Sequence, residues 1–425
     1  MRNLLFILTL LFSGLAKSQL YFPPTTGTNW DTMSPSQLNW CPTKIQNLYD
    51  YLESTNTKSF MILKDGKIVL EKYFGTYTAD SLHLWNSASK TLVGVMTGIA
   101  QQEGFLNIND TTSDYLGTGW TSLTSSQEEK ITIRNQLSMT TGMDDATTGD
   151  CTAPNCLTYI ADAGTRWSYH NAPYTLLNTV ISNATGQNFN TYISNKLGTP
   201  CGISGLFVTF GYNKVFISET RPFARFGLLL LAEGVWNGIP VLNNPAYFTA
   251  MTNSSQSINN SYGYLTWLNG KSNFMVPGLQ FSFSGSLEPD APNDMYAALG
   301  KNGQIINVVP SQNLVMVRMG EGDNTTLVGT QYNDSIWIRI NDLECTNNIE
   351  KVEFFEGMSV SPNPSYGSFQ ISGLDNQDKV ILTNNLGQII HFEQIGGKFL
   401  VNEKGLFFLT IIRNGGQKTT KIILE

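Results

Sequence analysis

The stretch Leu84–Ala100, "LWNSASKTLVGVMTGIA", places Ser87 three residues before Lys90. Polar, turn-like residues precede the pair, and apolar residues at helical spacing follow it. A helix beginning near Ser87 puts Lys90 on the same face, one turn along. The first turn of a helix carries unpaired N–H groups and partial positive charge. That field disfavours an ammonium, and burial disfavours it further, so a lysine placed there is driven towards its neutral amine. A neutral amine beside a hydroxyl is a base beside a nucleophile, and the same field stabilises negative charge growing on oxygen. Alone, Ser-x-x-Lys reads more simply as a capping serine and a solvated lysine. Its meaning depends on its company.

Two other stretches supply that company. "AGTRWSYHNAPYTLLNTVISNATG" holds Tyr169-His170-Asn171 just before an apolar helix. A tyrosine near a lysine can relay a proton, and an asparagine can orient that lysine or bind a substrate amide. "LGKNGQIINVV" holds Lys301-Asn302-Gly303 at the head of a strand. A glycine there lets a ligand approach the backbone, and Lys301 offers a cation to a substrate carboxylate or to the tyrosine. Singly, these are a packed aromatic with a helix cap and a β-turn.

The surrounding pattern indicates a mixed α/β domain. "SFMILKDGKIVLEKYFG" (Ser59–Gly75) is two alternating apolar runs joined through Asp65-Gly66, which predicts a hairpin. From about Leu106 to Asn190 the pattern is helical and loop-rich. Ala224–Gly238 predicts an apolar helix ended by glycine. "QIINVV" and "NLVMVRM" predict a second hairpin through Pro310-Ser311-Gln312, and "TQYNDSIWIRINDL" a closing helix. Strands at both ends with helices between them fit an α/β domain carrying a helical lobe. After Cys345, "TNNIEKVEFFEG" is a polar connector, and short strands separated by Gly and Asn follow to the end. They predict a small all-β sandwich. The expected organisation is a signal over residues 1–18, the α/β domain over 19–346, a linker over 347–354 and the sandwich over 355–425.

The compartment follows from the first residues. "MRNLLFILTLLFSGLAKSQ" has a basic start, a short apolar core and Ala16-x-Ser18, the layout of a cleavable export signal. Its core is too short to span a bilayer, and no later run reaches the ~20 apolar residues of a membrane span. The expected product is exported, either secreted or attached at the cell surface. A net charge of −7 with no polybasic run argues against a nucleic-acid partner. Five cysteines suit an oxidising compartment. Cys151 and Cys156 bracket a short loop. A Cys41–Cys345 bridge would tie the two ends of the large domain and leave Cys201 over, although sequence leaves other pairings open. His83, His170 and His391 form no ligand-like pair, so neither a metal nor a cofactor is expected.

Together and in this order, Ser87-Ala88-Ser89-Lys90, Tyr169-His170-Asn171 and Lys301-Asn302-Gly303 resemble the three motifs of the serine β-lactamase and penicillin-recognising superfamily. The Tyr-x-Asn form is similar to class C β-lactamases and related esterases. "KDGKIVLEKYF", "ITIRNQLSMTTGM" and "NVVPSQNLVMVRMG" are similar to β-lactamase-related serine hydrolases, including aminohexanoate-oligomer hydrolases. The resemblance covers about Cys41 to Cys345. It implies a β-lactamase-like α/β domain with an all-helical lobe and a site between them. It further implies Ser87 as the acylated nucleophile, Lys90 as its base and Tyr169 as a proton relay. Asn171 and Lys301 would position substrate, and the backbone N–H groups of Ser87 and Gln304 would form the oxyanion hole, beside Gly303. His170 would be a wall residue or one just behind the site, not a base. Asn302 stands where the lactamases usually carry a threonine or serine hydroxyl, which points away from fast β-lactam turnover. The implied substrate is a small ester, amide or peptide. A β-lactamase, a D-peptidase and a non-catalytic binding protein are the alternatives. A Ser-His-Asp hydrolase would need a G-x-S-x-G elbow, which the chain lacks. At the other end, "SPNPSYGSFQI", "VILTNNLGQII" and "GLFFLTIIRNGGQKTTKIIL" resemble the type IX secretion sorting domain, with the secretion machinery as its implied partner. An adhesive or sugar-binding β module is the alternative there.

Overall fold

Asp65 and Gly66 both have positive φ, 51° and 81°. A two-residue turn of that kind matches the twist of paired strands, so β1 (Thr57–Lys64) folds back on β2 (Lys67–Tyr73). The computed structural model describes residues 20–146, 151–322, 328–345, 355, 357–413 and 416–425. The signal expected over 1–18 and the linker over 347–354 lie outside the described residues.

Along the chain, α1 (Pro42–Ser54) precedes that hairpin. After it come β3 (His83–Leu84), α2 (Ser89–Gln102), α3 (Asn171–Thr185), β4 (Leu206–Phe210), β5 (Asn213–Ser218) and α4 (Thr220–Leu231). Then follow β6 (Trp267–Leu268), β7 (Tyr296–Gly300), β8 (Gln304–Val309), β9 (Leu314–Gly320) and α5 (Thr330–Asn341). An antiparallel sheet of six strands runs in the order β2–β1–β9–β8–β7–β6. Helices cover both of its faces. A Cβ on Gly227 of α4 would come within 2.5 Å of Val315 on β9, so α4 lies on that face. Arg318, on the opposite face of the same strand, sits over the Tyr332 ring of α5 at 4.9 Å. Every residue of β9 is therefore buried, and β1 is buried at most positions. The alternation expected for β1 is absent because a strand covered on both sides needs apolar residues on both.

Two helices differ from expectation. The one predicted over Ala224–Gly238 runs from Thr220 to Leu231. Glu233 and Gly234, both at positive φ, end it, and Val235–Trp236 pairs with Ile239–Pro240 through Asn237-Gly238. Asn-Gly is a strong two-residue turn, and it overrides the apolar continuity of the segment. The helix expected to begin near Ser87 begins at Ser89, after a 3-10 turn over Asn86–Ala88. All side chains from Ser89 to Ala100 of α2 are buried, which makes it the central helix of this unit.

The chain divides into two compact units, Met1–Cys345 and Thr346–Glu425. The second contains β10 (Ser359–Ser361), β11 (Ser368–Ser372), β12 (Lys379–Asn384), β13 (Glu393–Ile395), β14 (Lys398–Leu400), β15 (Gly405–Arg413) and β16 (Gly416–Leu424). They form two antiparallel sheets, β10–β11–β14–β13 and β12–β15–β16. Phe369 and Phe399 from one sheet and Leu382, Leu409 and Ile422 from the other share one core.

Disulfides join Cys41 to Cys345 and Cys151 to Cys156, and Cys201 is buried and free. The first closes a loop of 304 residues in sequence separation. Cross-linking so long a segment removes much of the entropy of the unfolded chain, typically about 2–5 kcal/mol for a native bridge. A Cys41→Ser, Cys345→Ser double variant should therefore melt several degrees lower, measured by calorimetry of the oxidised proteins.

Candidate active site

The seat of Ser87 is built from four segments. Trp85 is fully buried, its indole N–H donates to Ser218 Oγ at 2.7 Å, and its ring meets Phe216 and Phe223 edge-on. Asn86 follows at φ 48°, a conformation asparagine tolerates better than most residues. This reversal presents Ser87 at the entrance to α2. The Asn86 amide donates to the Lys301 carbonyl at 2.9 Å, which ties the serine turn to the head of β8. From the other side Gly300 abuts the turn: a Cβ there would lie 2.4 Å from the Trp85 carbonyl oxygen. Ser89, inside the Ser-x-x-Lys motif, accepts from the Phe216 N–H at 2.8 Å and anchors β5.

Lys90 is 2% exposed. Its Nζ donates to Ser87 Oγ and to Asn171 Oδ1, each at 2.9 Å. The Tyr174 and Tyr169 rings lie 4.0 and 4.7 Å from it. No carboxylate within ion-pair distance is described for it, and burial holds its amine well below the usual lysine range. Tyr169 is also buried. Its ring stacks on Trp267 at 5.6 Å, and its hydroxyl has no partner of ordinary hydrogen-bond geometry. Burial raises the Tyr169 hydroxyl well above the usual tyrosine range, and the neighbouring Ser87 hydroxyl opposes this only in part. Burial thus biases the pair towards a neutral amine and a neutral phenol.

A cavity of about 590 Å³ opens over these groups. Ser87, Tyr169, Asn171 and Lys301 line it, together with Asn86, Tyr174 and the β4–β5 hairpin from Phe210 to Asn213 and Val215. Lys301 is exposed, and no side-chain partner is described for it. Two expected residues turn their side-chain faces away from that lining. Gly303 (φ 71°) has its free face against Arg318 and Tyr332, where a Cβ would come within 2.7 Å of the guanidinium. Its lack of a side chain makes room for Arg318, not for a ligand as its motif suggested. Gln304 is fully buried, and its side-chain amide exchanges hydrogen bonds with the Gly320 backbone at 2.6 and 3.1 Å. His170 caps α3 with its Nδ1 buried and unpartnered among the described residues, and burial lowers its pKa. Sequence reasoning missed Asn86, Tyr174 and the hairpin. Only Asn86, directly before the serine, carried a visible turn signal.

Comparison with known proteins bears on the fold. Residues 51–213 match the Beta-lactamase family model. A Bacillus anthracis structure described as a 6-aminohexanoate-dimer hydrolase superimposes with a TM-score of 0.58 at 18% identity, over 75% of this chain and 88% of that one. The chain has the β-lactamase fold. A family VIII carboxylesterase shares this fold with a TM-score of 0.55 at 15% identity, over 72% of this chain and 97% of that one. Protein flp of Staphylococcus aureus strain MRSA252 is 28% identical over 159 residues, 32% of each chain. The chain thus spans about a third of the length of the curated relatives it matches. The family match covers the Ser87, Lys90, Tyr169 and Asn171 segments of the β-lactamase fold and ends before Lys301.

Proposed function

We propose that this protein is a serine hydrolase that cleaves an ester or a linear amide through an acyl-enzyme on Ser87. The observation that carries the reading is a buried Lys90 amine, without a carboxylate counter-ion among the described residues, 2.9 Å from the Ser87 hydroxyl. In its neutral form the amine keeps its donation to Asn171 and accepts the Ser87 proton in place of donating. The serine oxygen then attacks the acyl carbon. The oxyanion would be held by the backbone N–H groups of Ser87 and Gln304. Lys90, with Tyr169 as relay, returns the proton to the leaving alcohol or amine. A water activated by the same groups releases the acid. Tyr169 enters as a neutral phenol that donates before it accepts, because its burial disfavours the phenolate. His170 stands behind the cavity lining and is not a base, and Lys301 favours a substrate carrying a carboxylate.

Two observations favour an ester or linear amide over a β-lactam. Asn302 stands in the lysine motif without a hydroxyl, at φ 66°, with its amide directed to Glu321 at 3.3 Å. The carboxylesterase and the aminohexanoate-dimer hydrolase that share the fold are named for ester and linear amide chemistry. Intact-mass spectrometry after a fluorophosphonate probe should show one adduct on the native protein and none on Ser87→Ala. A nitrophenyl ester should turn over while a chromogenic cephalosporin is spared. Fast cephalosporin turnover would make it a lactamase, and no adduct at all would leave a binding protein on a hydrolase fold.

The export signal layout and the two disulfides support an extracytoplasmic site of action. The Thr346–Glu425 unit fits a sorting module for secretion, on the residues that resemble the type IX domain. No helix among the described residues is long and apolar enough to cross a membrane.

A further inference from the structure

The cavity over Ser87 is chemically lopsided. On the Asn86–Lys301 side it is polar. The tip of the β4–β5 hairpin also lines it and contributes Phe210 and Tyr212. Gly211, at φ 63°, is the first of the two turn residues, the place where such a hairpin favours glycine. The tip is held in place rather than loosely draped. Phe216 of β5 donates to Ser89 on α2, Tyr174 Oη donates to the Lys214 carbonyl at 3.1 Å, and Thr175 Oγ1 donates to Asn213 at 3.4 Å. The same α3 that carries Asn171 and Tyr174 into the site thus supports the hairpin.

Phe210 is 62% exposed at this rim, at the end of a strand that buries Phe207. With Tyr212, Tyr174 and Val215 it supplies the aromatic and apolar wall of a cavity whose described lining includes no carboxylate. An aromatic group resting on that wall would bury both its own surface and the Phe210 ring, and ring pairs gain beyond area alone. We infer that the hydrolase favours acyl groups bearing an aromatic ring, and that Phe210 at the hairpin tip is the residue that selects them. This rests on the proposed acyl-enzyme chemistry at Ser87.

Phenylmethylsulfonyl fluoride and methanesulfonyl fluoride differ by that ring alone. Each forms a Ser87 Oγ–S bond, expels fluoride and passes the serine proton to Lys90. Second-order rates of adduct formation by intact mass give a phenylmethyl-to-methyl ratio for each protein. Phe210→Ala should lower that ratio at least fivefold, and Phe210→Tyr, which keeps the ring, should restore it. Circular dichroism and melting of both variants, substituted at an exposed tip, should match the native protein. An unchanged ratio in Phe210→Ala, with labelling intact, overturns the inference and leaves the hydrolase reading standing. Failure of both reagents and of the fluorophosphonate to label the native protein overturns both. Labelling by the fluorophosphonate with neither sulfonyl fluoride reacting overturns the aromatic preference alone.

Discussion

Replacing Lys90 by methionine should abolish acylation of Ser87 while leaving the protein folded. Methionine fills a similar volume, and the pocket between Tyr169 and Tyr174 already excludes water from that side chain. What disappears is the base. Positioned general bases contribute about 10²–10⁴-fold, so the fluorophosphonate labelling rate should fall by that order. The pH profile gives a sharper reading. In the native protein labelling should rise with pH through an ionisation lying well below that of an ordinary lysine, because burial disfavours the ammonium. The variant should lose that ionisation along with the rate. A variant that labels at the native rate would remove Lys90 from the mechanism.

Stability should fall as pH rises from about 4.5 to 8, and Glu288 should be a principal cause. Glu288, Asn307 and Asn333 are all fully buried. Asn333 Nδ2 donates to Glu288 Oε2 at 2.7 Å, and the two asparagines exchange amide hydrogen bonds at 2.7 and 3.0 Å. Glu288 Oε1 has no partner among the described residues. Burial pushes the carboxyl up from 4.5 to about 8. Since the folded state holds the proton more tightly than the unfolded chain, this stabilisation is complete below about pH 4.5. It is lost progressively as pH rises to about 8 and is then constant. The linkage is on the order of 4–5 kcal/mol at about 1.4 kcal/mol per pKa unit. Glu288→Gln keeps an acceptor for Asn333 and cannot ionise. Urea midpoints at pH 5 and pH 8.5 should therefore show the native protein losing ground to the variant at the higher pH. Parallel losses in both proteins would place the pH dependence elsewhere.

The site was legible in the sequence where chemistry demands a residue type at a fixed chain distance. Ser87 and Lys90 lie one helical turn apart, and that spacing survives any detail of the fold. Tyr169-x-Asn171 and Lys301 were legible only by likeness, since the approach of the first two to Lys90 and of Lys301 to the serine turn depends on tertiary packing. Gly303 was assigned to the ligand side because its motif names it, whereas its free face serves Arg318. Phe210 carried no signal, because an aromatic ending a strand is ordinary until the strand is seen beside a cavity. The Asp65-Gly66 turn was read correctly from local preference. The equally strong Asn237-Gly238 turn was hidden behind a run of leucines that predicted continued helix.

The Cys41–Cys345 bond gives the first unit the character of a sealed ring with a handle. Cys345 is its last residue, and everything beyond belongs to the Thr346–Glu425 unit. Tension applied through that handle reaches Cys345 and passes across the sulfur bridge into Cys41. It does not run back along the chain to strip α5 and then β9 from the sheet. A protease that severs the handle after Cys345 likewise leaves that end of the ring pinned to Cys41.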